Sequence, residues 1–261
     1  MRIALTIAYD GSPFHGWQTQ PSGQAVQDLL EAALSSIAGH RVATICAGRT
    51  DAGVHAVSQI VHFDTEVQRP DSAWVRGTNA LLPAGVAVQA CARVDDDFHA
   101  RFGALRRAYS YLIYRGEHRH PLYENRTGWS FRPLNPDAMR EAAAALIGEH
   151  DFSAFRSSQC QARSPVRSME SLQIREHGPL VVIDLQANAF LHHMVRNIVG
   201  ALVWIGMGRR PVSWTAQLLR QRDRKLAAPT FAAQGLYLNG VEYPARYGLA
   251  TWPPAVVPLA Q

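Results

Sequence analysis

Lysine is almost absent from this 261-residue chain: Lys225 stands alone among 26 lysines and arginines. Any mechanism through a lysine Schiff base would have to use that residue, inside the polar run 220–225, so such chemistry is not expected. Cysteine is scarce as well. Cys46, Cys91 and Cys160 are odd in number and far apart, which excludes both a disulfide framework and a Cys-x-x-Cys metal or redox motif. Cys46 and Cys91 lie in apolar, strand-like runs and read as core residues. No apolar run approaches the ~20 residues needed to span a bilayer. The start, Met1-Arg2-Ile3, shows no charged region followed by a sustained apolar segment. The expectation is a cytoplasmic protein in a reducing compartment, away from any membrane.

Several catalytic signatures are also missing. There is neither a Gly-x-Ser-x-Gly elbow nor a Gly-x-x-x-x-Gly-Lys-Ser/Thr phosphate loop, so serine-hydrolase and nucleotide-hydrolase readings have no footing. The 11 histidines do not supply zinc spacing. His192 and His193 are adjacent and cannot share one helix face, while His55, His62, His99 and His150 lack a His-x-x-x-His or cysteine partner. No metal is expected.

What is present is positive charge and alternating pattern. A net charge of +5 and a pI near 9.4 favour an anionic partner, nucleic acid ahead of membrane, although an arginine-rich composition also follows from GC-rich coding. The length suits two domains, placed here at 1–104 and 105–261. Residues 2–9 alternate like a strand, with Ile3, Leu5, Ile7 and Tyr9 on one side. Val26, Leu29, Leu30, Ala33, Leu34 and Ile37 recur at helical spacing, with Ser22 as a cap and Gly39 as a stop. Strands follow at 42–47, 57–63 and 86–94, with a weaker helix over 71–82 opened by Pro70-Asp71. The first half thus spells strand-helix-strand-strand-helix-strand, the split βαβ arrangement of ferredoxin-like and RNA-recognition modules.

The second half repeats that order: a strand at 107–115, a helix at 136–147 capped by Asn135, and strands at 166–174 and 180–187. A helix at 191–207, another at 213–222 and a closing strand at 235–242 follow. Near the junction Arg101, Arg106, Arg107, Arg115, Arg119, Arg126 and Arg132 interleave with Tyr109, Tyr111, Tyr114, Tyr123 and Trp129. That mixture suits phosphate contact with base stacking, although alternating tyrosines also serve as strand core. Residues 243–261, rich in proline and alanine, read as a surface arm.

One loop concentrates chemistry: Ala47-Gly48-Arg49-Thr50-Asp51-Ala52-Gly53-Val54-His55-Ala56. Its glycines permit positive φ and close approach to a ligand, Asp51 can stand at the apex of a tight turn, and Arg49 offers a planar fork of donors. Asp and Gly are also common in plain solvated turns.

The loop resembles the signature of the tRNA pseudouridine synthase A family. Further segments resemble that family in its order: Tyr9-Asp10-Gly11, Phe14-His15-Gly16-Trp17-Gln18, Phe98-His99-Ala100-Arg101-Phe102 and Tyr109-Ser110-Tyr111. His150-Asp151-Phe152, Phe190-Leu191-His192-His193-Met194-Val195-Arg196, Ala228-Pro229 and Gly235-Leu236 complete the series. The resemblance implies an α+β pseudouridine synthase fold: two related split-βαβ halves with antiparallel sheets and an active-site cleft between them. It also implies isomerisation of uridine at positions 38, 39 and 40 in the anticodon arm of tRNA, without a cofactor, by a homodimer.

By the same resemblance Asp51 is the essential aspartate. A carboxylate can attack the sugar carbon, attack the base carbon or remove a sugar proton, and all three routes stay open. Tyr109 matches the tyrosine that stacks on the target base. Arg196 matches an ion-pair partner that keeps Asp51 ionised, and Arg49 the loop arginine that takes the place of the flipped nucleotide or holds its backbone. The competing expectation is a non-catalytic RNA-binding protein of two RNA-recognition-like modules, which would leave the Asp51 loop without a purpose.

Overall fold

The alternation at 2–9 becomes β1, Arg2–Tyr9, in the computed structural model, which describes residues 1–249. Among the described residues two units are distinguished: one is Met1–Leu105 with residues 237–249, the other Arg106–Leu236. In the first, helix α1 (Val26–Ala38) is followed by β2 (Ile45–Cys46) and β3 (His55–Asp64). A helical run with a π turn at Ala73–Gly77 leads into α2 (Thr78–Leu81) and then β4 (Val86–Val94). β1 lies between β3 and β4, antiparallel to both, and β2 pairs with β3. This is the split βαβ order expected from the pattern.

Details differ for local reasons. Helix α1 begins at Val26, and Ser22 does not cap it; the Asp28 carboxylate accepts the Ala25 amide at 3.2 Å instead. Gly39 ends it in the left-handed conformation, φ 73°. β2 is two residues long rather than six. Gly77 allows the second helical run to approach α1, since a Cβ there would lie 2.9 Å from Ile37 Cδ1. Trp74 is buried with its ring edge-on to Phe63 of β3, 5.2 Å between centroids.

The second unit contains β5 (Arg106–Arg115), β6 (Gly128–Ser130), α3 (Pro136–Ala144), β7 (Gly148–Asp151), β8 (Val166–His177) and β9 (Leu180–Ala187). Helices α4 (Met194–Gly206) and α5 (Trp214–Gln221) follow. The strand order is β5-β9-β8-β7, antiparallel throughout, with β6 parallel on β5. β6 and β7 are too short to leave a period in the sequence. Asn135 caps α3 as expected, accepting the Asp137 and Ala138 amides. α4 buries nearly every side chain and starts three residues later than its apolar pattern, because His193 before it is left-handed at φ 63°. It packs on α3 where Gly206 faces the Met139 thioether.

The closing strand, β10 (Leu236–Glu242), runs parallel to the start of β3, with Tyr237 opposite His55. The first residues of the expected surface arm are anchored: Tyr243 and Tyr247 are buried, and the Tyr243 hydroxyl donates to Ala100 O at 2.6 Å. The rest of that arm, 250–261, lies outside the described residues. Among the described residues no helix is long and apolar enough to cross a membrane.

Candidate active site

In the first unit the Asp51 loop hangs between β2 and β3 and is held through its backbone. Gln59, fully buried on β3, brackets Gly48: its side-chain oxygen accepts the Gly48 amide at 3.3 Å and its amide nitrogen donates to Gly48 O at 2.5 Å. The Ala47 amide donates to Ile60 O at 2.8 Å. Thr50 is pinned twice, its carbonyl accepting the Trp17 amide at 3.0 Å and its hydroxyl 2.8 Å from the buried Tyr9 hydroxyl. The Val54 amide then donates to Asp51 O at 3.1 Å, closing a four-residue turn. Gly53 takes φ 79° in that turn, a conformation an L side chain rarely adopts. Gly48, by contrast, does not use a positive φ. Thr50 is buried, Asp51 half-buried and Arg49 exposed.

The segments at 9–18 pack onto this loop. A Cβ at Gly11 would sit 2.0 Å from Val54 O, and one at Gly16, φ 82°, would sit 2.9 Å from Thr50 O and 3.0 Å from Ala52 N. Only glycine lets the two backbones touch there. His55 is buried, stacked on Tyr237 at 4.5 Å between centroids, with its Nδ1 3.1 Å from both the Gly11 amide and Asp10 Oδ1. The loop's carboxylate therefore leaves a rigid frame of backbone contacts, while its own side chain stays within reach of water.

His62 and His99 in the same unit have structural work. His62 Nδ1 accepts the Ala100 amide at 3.1 Å, and burial, with Arg2 and His99 adding to it, pushes its pKa down to about 4, so the ring is a neutral acceptor at pH 7. His99 Nδ1 accepts the Arg101 and Phe102 amides, each at 3.1 Å, and its pKa is also lowered, chiefly by burial.

In the second unit Tyr109 sits on β5 opposite Leu185, 8% exposed, with its ring edge-on to Phe190 at 5.0 Å. Tyr111, on the same strand face, is core: it is fully buried and donates to Ala232 O at 2.7 Å. Gly128 and Gly235 make room for it, because a Cβ on either would come within 2.6 Å of its ring or hydroxyl. Arg196, on the first turn of α4, is half-buried rather than directed freely to solvent. Its Nε donates to Phe231 O at 2.9 Å, and the Phe231 amide returns a bond to Arg196 O at 3.3 Å.

The next residue, Asn197, is fully buried and ties three segments together. Its amide nitrogen donates to Phe155 O at 2.7 Å, and its oxygen accepts from Arg224 at 3.0 Å and from the Thr230 hydroxyl at 2.7 Å. Arg224, whose pKa is lowered by burial, also donates to Ala228 O at 2.8 Å. The stretch that receives the Arg196 side chain is thus fixed from below.

A family model described as tRNA pseudouridine synthase matches residues 5–103 and 142–244, which include Arg49, Asp51 and Arg196. This chain belongs to the tRNA pseudouridine synthase family. Among its curated relatives, the tRNA pseudouridine synthase A of Bordetella petrii is 60% identical over 250 residues, covering 95% of this chain and 93% of that protein. That of Burkholderia mallei is 55% identical over 255 residues, covering 98% and 93%. A solved Cbf5-Nop10-Gar1 complex aligns over 90% of this chain and 48% of the other with TM-score 0.40 and 10% identity, too slight a likeness to argue from. As a family member the chain is an isomerase that forms pseudouridine in tRNA. The non-catalytic alternative falls.

Gln59 and Asn197 were not singled out from the sequence. Their signal was faint: each is one amide in a largely apolar stretch beside another polar residue, Ser58 or Arg196, and a buried polar group must find partners. What those partners are depends on residues 11 to 42 positions away.

Proposed function

We propose that this enzyme isomerises uridine at positions 38, 39 and 40 of the tRNA anticodon arm, in the cytoplasm and as a homodimer, with Asp51 as the catalytic carboxylate. The reaction breaks the bond from the sugar to N1 of the base, forms one to C5 and moves the C5 proton to N1. Atoms and oxidation state are conserved, so the reading assigns no cofactor. The N-terminal half, 1–104, carries the aspartate loop. Tyr109 supplies an aromatic face for the target base and a hydroxyl able to relay a proton. Arg196 is assigned as the ion-pair partner of the aspartate, and Arg49 helps offset the few kcal/mol of unstacking when the nucleotide swings out.

The observation that carries the assignment is the frame around Asp51: a half-buried carboxylate on a turn pinned by Gln59, Trp17 and Tyr9. Catalytic groups need such support to keep their geometry. Unmodified tRNA incubated with wild type and Asp51→Asn, followed by mapping of pseudouridine, tests it. The variant is expected to lose turnover by at least a thousandfold and to keep tRNA affinity within a fewfold. Retained turnover rejects the role of Asp51, and pseudouridine appearing only outside the anticodon arm rejects the assigned positions.

A further inference from the structure

A second feature lies in the second unit, in the stretch between the two spans that the family model matches. β6 pairs with the end of β5, setting Trp129 opposite Tyr114. The indole nitrogen of Trp129 donates to Gly116 O at 2.9 Å, and the Gly116 amide donates to Ser130 O at 3.2 Å. The Ser130 hydroxyl then holds Arg132 O at 2.8 Å, fixing the turn that carries Phe131. On this base the Phe131 ring is 55% exposed, 5.9 Å from Trp129 between centroids. The Arg119 guanidinium lies 5.3 Å over Trp129 and that of Arg132 lies 5.5 Å over Phe131. Both arginines are exposed, and among the described residues neither forms an ion pair.

We propose that Arg119, Trp129, Phe131 and Arg132 form a platform that contacts a single-stranded or loop stretch of the tRNA substrate, outside the residues assigned to the reaction. The proposal rests on the tRNA reading. A nucleotide alternates a flat apolar base with an anionic phosphate, and the platform alternates flat rings with cations that lack an internal counter-ion. Bases stack on aromatic rings and on guanidinium planes alike. A protein partner fits less well, because one half-exposed phenyl ring is far short of the roughly 800 Å² per partner of a stable interface.

The test uses unmodified tRNA as probe, with binding measured across a series of KCl concentrations. Phe131→Ala is expected to weaken binding about 5- to 100-fold, as loss of one stacked base does. Phe131→Leu should do likewise, since it keeps apolar volume without the ring face. Arg119→Gln and Arg132→Gln should each reduce the slope of log affinity against log salt by roughly 0.7 to 0.9. At saturating tRNA the single-turnover rate of all four should match wild type. Unchanged affinity and salt slope overturn the platform, as does a change in sedimentation with affinity intact, which would assign the surface to a second copy. Failure of the wild type to form pseudouridine would sink the proposed function instead, leaving the binding series to judge the platform.

Discussion

Gln59 braces the Asp51 turn from the neighbouring strand through the Gly48 backbone. Its amide satisfies both backbone groups of Gly48, three residues before Asp51, the proposed catalytic carboxylate. Gln59→Leu keeps the volume but takes the side-chain partner from the part-buried Gly48 N–H and carbonyl, which costs about 1–3 kcal/mol. Thermal unfolding should show that loss. In single-turnover assays the rate should fall tenfold or more while tRNA affinity holds, because the defect moves the carboxylate and not the binding surface. An unchanged rate would mean that the remaining contacts of the loop, at Ala47, Thr50, Gly11 and Gly16, hold it adequately. The turn at Asp51 was legible from its loop, through the glycines that flank Arg49, Thr50 and Asp51. The reason for Gly11 and Gly16 was not: their need is the touch of one backbone on another, which no local pattern encodes.

At the scale of elements, α4 matters most in the second unit because it carries Arg196 and is packed on almost all sides. Gly200 is where the stretch at 228–229 crosses it: a Cβ there would lie 2.5 Å from Pro229 O. Backbone cannot swing aside as a side chain can. Gly200→Ala should therefore destabilise by about 1–3 kcal/mol, the usual cost of overpacking, against a helix-propensity gain of about 1 kcal/mol. Gly206→Ala should be milder, since its Cβ would meet the flexible Met139 thioether at 2.8 Å. Melting curves of the two variants decide; a more harmful Gly206→Ala would contradict the packing argument. Most elements were readable from period and caps, as at β1, β4, β9 and α3. Short β2, β6 and β7 were misjudged or missed, because pairing on a longer neighbour makes them strands.

At the scale of the whole molecule, the net charge of +5, carried almost entirely by arginine, suits a polyanionic substrate held through planar, always-charged groups. The homodimer is the part of the proposed function that a direct measurement settles fastest. Sedimentation of the purified enzyme at assay concentration should give the mass of two 28.8 kDa chains, and a monomer at that concentration would remove the dimer from the proposal.

The sequence by itself determined the α+β class, the order of the main strands and helices, and the loop that holds Asp51, because periodicity, capping and turn chemistry act over a few residues. Tertiary structure alone decided which amides brace that loop, which tyrosines are core, and that β10 runs beside β3. Those outcomes depend on contacts between residues far apart along the chain, and such contacts leave no period to read.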